Sequence, residues 1–583
     1  MNTIIQSSKR FGLKTIGVIS ALALIASCNS QPNPESERLM VTQNPNVHLA
    51  FSGGGWRAHT VHSGLIMSLL QANGCTAHDE SCLTSALSNV QTISSNSGGS
   101  WFNSMLNYNS NFTTQITASD AFSQWSKKGG GWLGEQQSQF DAHDTICNHL
   151  AAEEYAYLFC VGLGQAPSVS DGLDWYQLLE DLVYTDYSIG DVKLGDQRGW
   201  SQDKTLLFAG TLMNNDVVVN QNLGGLEAQY YQTCPEGAEA DHDGGLSAGA
   251  HCKSQSDGSP VADPLDVMPV TFTSPPSTRT ITIPDVFASP NLTKNIGYTT
   301  SARADLAELD RSQFPDGTIH TSDTKVIGAA AASSSAGGYV AAQKTSGNFT
   351  LSQIFNSMAS TFGISNGSVN FVDPNQASGL ALSDMKAQTI FKVADGGVVD
   401  NTAVIQLIRY LQKNGGTTNQ QIIAFDNTNF QFQFSNAGTT YGFSTDVGAM
   451  FKDAGPAILA DIKIFGYSLD QIAVTRPNTQ LFDTSSLKAP DWSWTSTDGN
   501  NRLFYTRFEN LKVLANPDYD VQSGTLGTLH LFSVVSNGTQ MSPTSVNFAD
   551  YTDMLSAIEN GLPVADSQGK SGQDYLLEAF GLQ

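Results

Sequence analysis

The stretch VQTISSNSGGSW, residues 90–101, indicates the fold class, because a short apolar run leads through a turn of serine and glycine into a helix-like segment. The stretch VHLAFSGGGWRA, residues 47–58, has the same form earlier in the chain. A strand that ends at a tight turn before a helix is the repeating unit of a sheet with parallel strands. The two stretches therefore predict an α/β fold with a central, mostly parallel sheet flanked by helices.

Hydrophobic periodicity extends this prediction along the chain. Apolar positions at helical spacing predict a helix over 59–71 that stops at Gly74. The run of small residues VIGAAAASSSAGG, 326–338, predicts a tightly packed strand, turn and helix. Other apolar runs predict a core strand and its turn at 206–218, strands at 390–393 and 422–425, a helix at 403–411 and a β-rich C-terminal portion at 500–537.

Ser97 occupies the turn of the 90–101 stretch and is the candidate nucleophile. A serine hydroxyl attacks only when a neighbour takes its proton, and a sharp strand-to-helix turn presents its oxygen at the sheet edge. Glycines follow Ser97, but residue 95 is serine where a G-x-S-x-G turn has glycine, so Ser95 must avoid a left-handed conformation. Ser247 and Ser365 match G-x-S-x-G more literally and stay alternatives, although neither has a strand before it and a helix after it.

The glycine run 53–55 also ends a predicted strand and begins a predicted helix. Such a turn leaves backbone N–H groups that can bind an anion, here the tetrahedral oxygen of an acyl transfer. A nucleotide-phosphate turn is the alternative, but the sequence lacks both G-x-G-x-x-G and the Walker Gly-Lys. Arg57 follows the run and can pair with a substrate phosphate, or form a salt bridge on the helix surface.

Asp395 precedes two glycines, after a predicted strand and before a predicted helix. A partly desolvated carboxylate at a sheet edge can act as a base. Asp-Gly-Gly is also a common turn signal, and Asp400 lies close by. His530, in a predicted strand, would serve if the site were a serine–histidine triad, although a structural histidine is the simpler interpretation.

Together, SGGGWRA at 52–58, NSGGSW at 96–101 and ADGGVVDN at 394–401 resemble the patatin-like and cytosolic phospholipase A2 group of acyl hydrolases, nearer its phospholipase A2/phospholipase B branch. The similarity covers roughly residues 46–106 and 325–430. It implies a Ser–Asp dyad without a catalytic histidine. Residue by residue, it implies Ser97 as nucleophile, Asp395 as base, Gly54 and Gly55 as oxyanion donors with Gly53 and Gly98 as further candidates, and Arg57 as the phosphate contact.

The implied function is a lipid acyl hydrolase of the phospholipase A or lysophospholipase type, acting on phospholipid or lysophospholipid at a membrane. This chemistry requires no cofactor and no metal. An acyltransferase or a general esterase on the same fold is an alternative, and so is a non-catalytic surface binding lipoprotein.

The motifs run from 52 to 395, so we expect one large catalytic domain, residues 46–583, rather than several sequential domains. The segments at about 110–200 and 225–265 hold many glycines and little periodicity, and we interpret them as insertions. Six cysteines cluster along the chain and predict disulfides rather than a zinc site: Cys75–Cys82, Cys147–Cys160 and Cys234–Cys252. Asp241 and Asp243 are interpreted as a solvated loop rather than a calcium site.

The N-terminus has basic residues before an apolar segment, 15–27, that is too short to span a bilayer. Its end, Leu24-Ile25-Ala26-Ser27-Cys28, resembles a bacterial lipoprotein signal; an ordinary cleaved signal is the alternative. We therefore expect a signal peptide at 1–27, a lipidated Cys28 and a flexible tether at 28–45. The resemblance implies an exported lipoprotein of the outer membrane, on its periplasmic or surface face.

The net charge is −25, from 54 acidic and 29 basic residues. Nucleic-acid binding requires clustered Lys and Arg, so this balance argues against a nucleic-acid partner. It also argues against simple electrostatic attraction to an anionic bilayer.

Overall fold

The computed structural model describes residues 46–126, 132–133, 179, 183–184, 187–213, 238–241, 251–254, 256, 260–261, 267–274, 285–286, 298–299, 325–334, 393–428, 431–436, 439–451, 463–464, 467–468, 479–516, 519, 521–536 and 548–582. The expected signal peptide, lipidated cysteine and tether, residues 1–45, lie outside this part of the chain.

A nine-stranded sheet forms the centre of the described structure. Its strands, numbered in chain order, are β1 Asn46–Phe51, β2 Val90–Asn96, β3 Thr205–Met213, β4 Val267–Ser274, β5 Val393–Asp395, β6 Gln420–Thr428, β7 Trp492–Thr495, β8 Asn501–Val513 and β9 Gly524–Ser536. Their order is β5-β3-β2-β1-β6-β9-β8-β7, and β4 also pairs with β3. The central strands β3, β2, β1, β6 and β9 are parallel, as predicted, and the flanking strands are antiparallel.

Helices connect the strands. The α-helices are α1 Gly55–Ala72, α2 Glu80–Ala86, α3 Gly98–Tyr108, α4 Ser110–Thr117, α5 Ala121–Trp125, α6 Val326–Ser333, α7 Gly397–Asp400, α8 Val404–Lys413, α9 Thr445–Ala449, α10 Phe548–Gly561 and α11 Gly572–Phe580. Short 3₁₀ turns lie at Gly199–Ser201 and Thr484–Ser486. Smaller strands lie outside the central sheet at Ala238–Asp241, His251–Ser254, Pro260–Val261, Asp285–Val286, Tyr298–Thr299, Gln431–Asn436, Thr439–Ser444, Lys463–Ile464 and Tyr467–Ser468.

Helices cover both faces of the sheet, as predicted. Successive strand residues point to opposite faces. In β1, Leu49 and Phe51 therefore pack into one core with α1, α3, α10 and α11. Ala50 packs into the second core, on the other face, with α8. The parallel strands are thus buried on both sides, and functional side chains are confined to the strand ends.

The run of small residues differs from its prediction. Residues 326–334 of this run are described, and they contain one helix, α6. The strand and turn predicted for these residues are therefore wrong. Alanine is the strongest helix former, and the run contains four in succession, Ala329 to Ala332. Ala329, Ala330 and Ala331 are fully buried, and their small side chains allow close packing.

The segment interpreted as an insertion at 110–200 contributes to the core at both ends. Phe112 and Trp125 from its start, and Leu194 and Trp200 from its end, are buried in the same core as α1. In the second proposed insertion, the short strands between 238 and 261 form a separate small sheet.

The cysteine pair nearest the N-terminus forms a disulfide in the structure. Cys75, which follows α1, is bonded to Cys82 in α2, with their Cα atoms 5.4 Å apart. The predicted pairs Cys147–Cys160 and Cys234–Cys252 rest on side chains outside the described residues. Among the described residues, no helix is both long enough and apolar enough to cross a bilayer.

Candidate active site

Ser97 occupies a strained turn between β2 and α3. Its backbone has φ 50° and ψ −127°, a conformation that residues other than glycine rarely adopt. Ser95 remains in the strand and avoids positive φ, which the sequence pattern required. The turn places Ser97 at the N-terminus of α3, with the side chain at the carboxyl end of the parallel strands.

The register of β3 brings Asp395 to Ser97. β2 runs parallel to β3 and ends with Asn96 opposite Ala209. β4 occupies the other edge of β3 along 206–213, so β5 must lie on the same edge as β2. β5 runs in the opposite direction and ends with Asp395 opposite Gly210. The two strands therefore end head to head at adjacent positions.

The two candidate side chains are in direct contact. The Ser97 hydroxyl donates a 2.7 Å hydrogen bond to Oδ2 of Asp395. The other carboxylate oxygen accepts a 2.7 Å hydrogen bond from the Gly397 N–H, and the Asp395 carbonyl accepts one from the Thr211 hydroxyl. Ser97 is 5% exposed and Asp395 is 6% exposed. Burial raises the pKa of Asp395 to about 6, against the opposing effect of hydrogen bonds from Ser97 and Gly397.

The glycine run lies beside this pair. Gly54 has φ 129° and Gly55 has φ 56°, so the chain turns sharply into α1. Within the described part of the chain, the N–H groups of these two glycines donate no hydrogen bond. The Gly53 N–H, in contrast, donates to the Asn401 carbonyl at 2.9 Å. Gly53 is therefore not available as an oxyanion donor, which corrects the expectation for that residue.

Gly98 explains how the two turns come together. Its backbone packs directly on Gly55, and a methyl group at residue 98 would overlap the Gly55 carbonyl oxygen. A methyl group at residue 99 would lie 2.5 Å from the Phe51 carbonyl oxygen and 2.6 Å from the Ser52 carbonyl oxygen. The two glycines after Ser97 thus allow α3 to approach the glycine run, which brings the Gly54 and Gly55 amides to the same edge as Ser97.

Arg57 is held at the glycine run by an asparagine. Its Nε donates a 2.7 Å hydrogen bond to Oδ1 of Asn427. The Nδ2 of Asn427 donates to the Ser52 hydroxyl and to the Gly53 carbonyl. Asn427 thereby fixes both the loop and the arginine. Next to it, burial first and then Asp446 raise the pKa of Asp426 to about 7.

Asp400, the other acid near Asp395, caps a helix. Its carboxylate accepts hydrogen bonds from the backbone N–H groups of Thr402, Ile405 and Gln406, and from the Thr402 hydroxyl. These contacts secure the start of α8 and leave Asp395 as the carboxylate that contacts Ser97.

Histidine does not contact the pair in the described structure. His530 lies in β9, where its Nδ1 hydrogen-bonds the Tyr505 hydroxyl at 2.8 Å, and burial lowers its pKa to about 3. His62 is buried in α1, where its Nε2 hydrogen-bonds the Ser52 carbonyl at 2.8 Å, and burial lowers its pKa to about 4. Both histidines therefore have structural partners away from Asp395.

Several sequence-based candidates lie outside the described residues: Ser247, Ser365, Cys28 and Asp243. Asp241 lies at the end of a described short strand. Among the residues that the structure describes, no group of three or more His, Cys, Asp or Glu side chains could hold a metal ion.

Three polar residues of the site were not predicted: Asn401, Asn427 and Ser333. Asp426 and Asn427 directly follow the predicted strand 422–425, and polar residues that follow a parallel strand lie at the functional edge of the sheet. That signal could have identified Asn427. Asn401 accepts the Gly53 N–H through its main-chain carbonyl, and Ser333 accepts the Ser97 N–H through both its carbonyl and its hydroxyl oxygen. These donors and acceptors are far apart in sequence, so no local pattern predicts either contact.

The arrangement is chemically suited to acyl transfer. The Ser97 hydroxyl is hydrogen-bonded to the Asp395 carboxylate. Its turn lies beside the Gly54 and Gly55 amides, which have no acceptor among the described residues. A base with a pKa of about 6 is ionised at neutral pH and can accept the hydroxyl proton. Donors arranged in advance can stabilise the oxyanion that then forms.

No family model and no curated protein matches the sequence. Among solved structures, human GIVD cytosolic phospholipase A2 matches with a TM-score of 0.36 and 12% identity, over 92% of this chain. The chain spans 62% of the length of that protein.

Proposed function

We propose that the protein is a lipid acyl hydrolase that cleaves carboxylic esters through a Ser97–Asp395 dyad. One observation carries the proposal: the Ser97 hydroxyl donates a 2.7 Å hydrogen bond to a buried carboxylate, on a strained turn at the sheet edge. A carboxylate in that position can take the serine proton directly, so a histidine is not needed.

The reaction divides into two steps. Ser97 Oγ attacks the ester carbonyl carbon while its proton passes to Asp395. The Gly54 and Gly55 amides stabilise the negative charge on the carbonyl oxygen. The alcohol leaves with the proton from Asp395, and the acyl group stays on Ser97. Water then attacks the acyl carbon and gives a proton to Asp395, which returns it to Ser97 as the fatty acid is released.

Arg57 supports a phosphate-bearing lipid as the substrate class. Its guanidinium is fixed by Asn427 next to the glycine run, where an oxyanion would be bound. A guanidinium there can pair with the phosphate of a phospholipid or lysophospholipid while the ester carbonyl reaches Ser97. We further propose a lipid anchor at Cys28, which would hold the exported enzyme at a bacterial membrane containing its substrate.

The proposal is tested by hydrolysis of a short-chain neutral ester and of a phospholipid. We expect Ser97→Ala and Asp395→Asn each to reduce kcat by at least about 10³-fold, because each removes a group that takes part in bond making. Ser104→Ala, a buried serine farther along α3, serves as the control and should retain activity. Wild-type rates in both dyad variants would overturn the proposal.

A further inference from the structure

Ser333 contacts both turns of the candidate site. It is the last residue of α6 and is fully buried. Its carbonyl oxygen accepts hydrogen bonds from the Ser97 N–H at 3.1 Å and from the Gly396 N–H at 2.9 Å. Carbonyl groups in the last turn of a helix have no partner inside the helix, so this oxygen is free to accept both. One residue therefore joins the turn of Ser97 to the turn that follows Asp395.

The Ser333 side chain adds a second contact to the same turn. The Ser97 N–H also donates to the Ser333 hydroxyl oxygen at 3.0 Å. This amide is thus shared between two acceptors of one residue, and it is not available to an oxyanion. The oxyanion donors must come from elsewhere, which agrees with the assignment to Gly54 and Gly55.

The direction of the Ser333 hydroxyl is fixed by a chain of buried serines. Ser95 donates to the Leu207 carbonyl at 3.2 Å, and a carbonyl can only accept. Ser100 donates to Ser95 at 3.0 Å. Each hydroxyl has one proton, so in the 2.7 Å contact between Ser100 and Ser333 the donor must be Ser333. Its lone pairs are then directed to the Ser97 N–H.

We propose that Ser333 is a positioning residue, which holds the Ser97 turn and the Gly396 turn in register so that the hydroxyl and the carboxylate of the dyad remain in contact. The inference rests on the proposed function, since it assigns Ser333 a role in that reaction. The strained backbone at Ser97 requires such support, because a non-glycine residue keeps a positive φ only where its surroundings impose it.

The test uses Ser333→Ala in the full chain, with a short-chain neutral ester as substrate. This variant loses the hydroxyl contacts and keeps the carbonyl contacts. We expect kcat to fall roughly tenfold, the effect of one lost hydrogen bond, while KM changes by less than about twofold. We also expect the acid limb of the pH–rate profile to move to higher pH. The hydrogen bond from Ser97 lowers the pKa of Asp395. A less firmly held turn weakens that hydrogen bond, so the pKa of Asp395 rises.

The matched control is Ser104→Ala. Ser104 is also buried on α3, but its hydroxyl contacts the Trp101 carbonyl and the Tyr184 hydroxyl. It should lose a similar amount of thermal stability without a change in kcat or in the acid limb. A general effect of removing a buried hydroxyl would act equally on both variants.

If Ser333→Ala does not fold, Ser100→Ala provides a second test of the same inference. It leaves the Ser333 hydroxyl without its fixed acceptor, so we expect a smaller change in the same direction. Wild-type kcat and an unshifted acid limb in the folded variants would overturn the inference. If Ser97→Ala abolishes hydrolysis at the same time, the proposed function stands without it. If Ser97→Ala is active, the proposed function itself fails.

Discussion

The Ser97 hydroxyl donates a 2.7 Å hydrogen bond to the Asp395 carboxylate, although the two residues are 298 positions apart. The contact exists because β2 and β5 end opposite adjacent residues of β3. A shift of one residue in either pairing would turn the following side chain to the other face. The site therefore depends on strand register as much as on the two residues themselves.

The acid limb of the pH–rate profile should reflect the ionisation of Asp395. Its pKa of about 6 lies above its ordinary value because it is buried, and only the ionised form can accept the proton from Ser97. On a neutral short-chain ester, kcat/KM should be constant above this pKa and fall about tenfold for each pH unit below it. The substrate has no phosphate, which minimises the influence of groups near Arg57. An acid limb near the ordinary pKa of 3.8 would contradict the assignment.

Asp395→Asn should change how stability depends on pH. Between the ordinary pKa of 3.8 and the folded-state pKa of about 6, the folded protein binds more protons than the unfolded chain. The contribution of this carboxyl to stability is therefore lost as pH rises through that window. Asparagine does not titrate there. The free energy of unfolding of Asp395→Asn minus that of wild type should therefore increase by roughly 2–3 kcal/mol between about pH 4 and about pH 7.

Denaturant unfolding of both proteins at several pH values measures this difference. Other buried acids, such as Asp400 and Asp426, titrate in both proteins and cancel in the comparison. A difference that does not vary with pH would show that Asp395 is not a desolvated carboxylate.

Gly54→Ala should damage the oxyanion site. The residue has φ 129°, and a methyl group would lie 2.7 Å from Oδ1 of Asn427 and 3.0 Å from Nη2 of Arg57. Displacement of this loop moves a backbone donor, so kcat/KM should fall by about 10²-fold or more. Gly74→Ala is the control, because Gly74 also has positive φ, 71°, but open space around it. It should lose some thermal stability and keep its kcat. Equal kcat/KM for Gly54→Ala and wild type would mean that this loop supplies no oxyanion donor.

Arg57→Met should separate phospholipids from neutral esters. Loss of a charge-assisted hydrogen bond to phosphate should lower kcat/KM on a phospholipid roughly tenfold to hundredfold. The neutral ester lacks that contact and should lose far less. Arg198→Met, at an arginine that pairs with Glu80, is the control and should leave the ratio between substrates unchanged. An equal loss on both substrates would instead mean that Arg57 only supports the loop.

Local patterns predicted the elements that carry the site. The strand, turn and helix around Ser97 were visible because apolar runs, glycines and helical spacing occur in succession within a few residues. The apolar run that opens the 47–58 stretch corresponds to β1, and the predicted strand 422–425 corresponds to β6, although β6 is longer than its prediction. Parallel strands buried on both faces give such continuous apolar runs.

Long-range main-chain contacts could not be predicted in this way. The Gly53 N–H is taken by the Asn401 carbonyl, and the Ser97 N–H is taken by Ser333. Neither bond depends on a side-chain pattern around the donor, since every residue has a carbonyl group. The run at 326–338 predicts a strand, a turn and a helix because its small residues suit several structures, and its four successive alanines favour the helix that the structure has.

Mass spectrometry of a digest labelled by a fluorophosphonate probe shows directly whether Ser97 is an activated nucleophile. The probe reacts with an activated serine hydroxyl, and the digest identifies which serine carries it. We expect a single label on Ser97, and no label after Asp395→Asn at the same probe concentration. A label on Ser247 or Ser365, or a folded wild-type protein that takes up no label, would contradict the claim that Ser97 and Asp395 form the reactive pair.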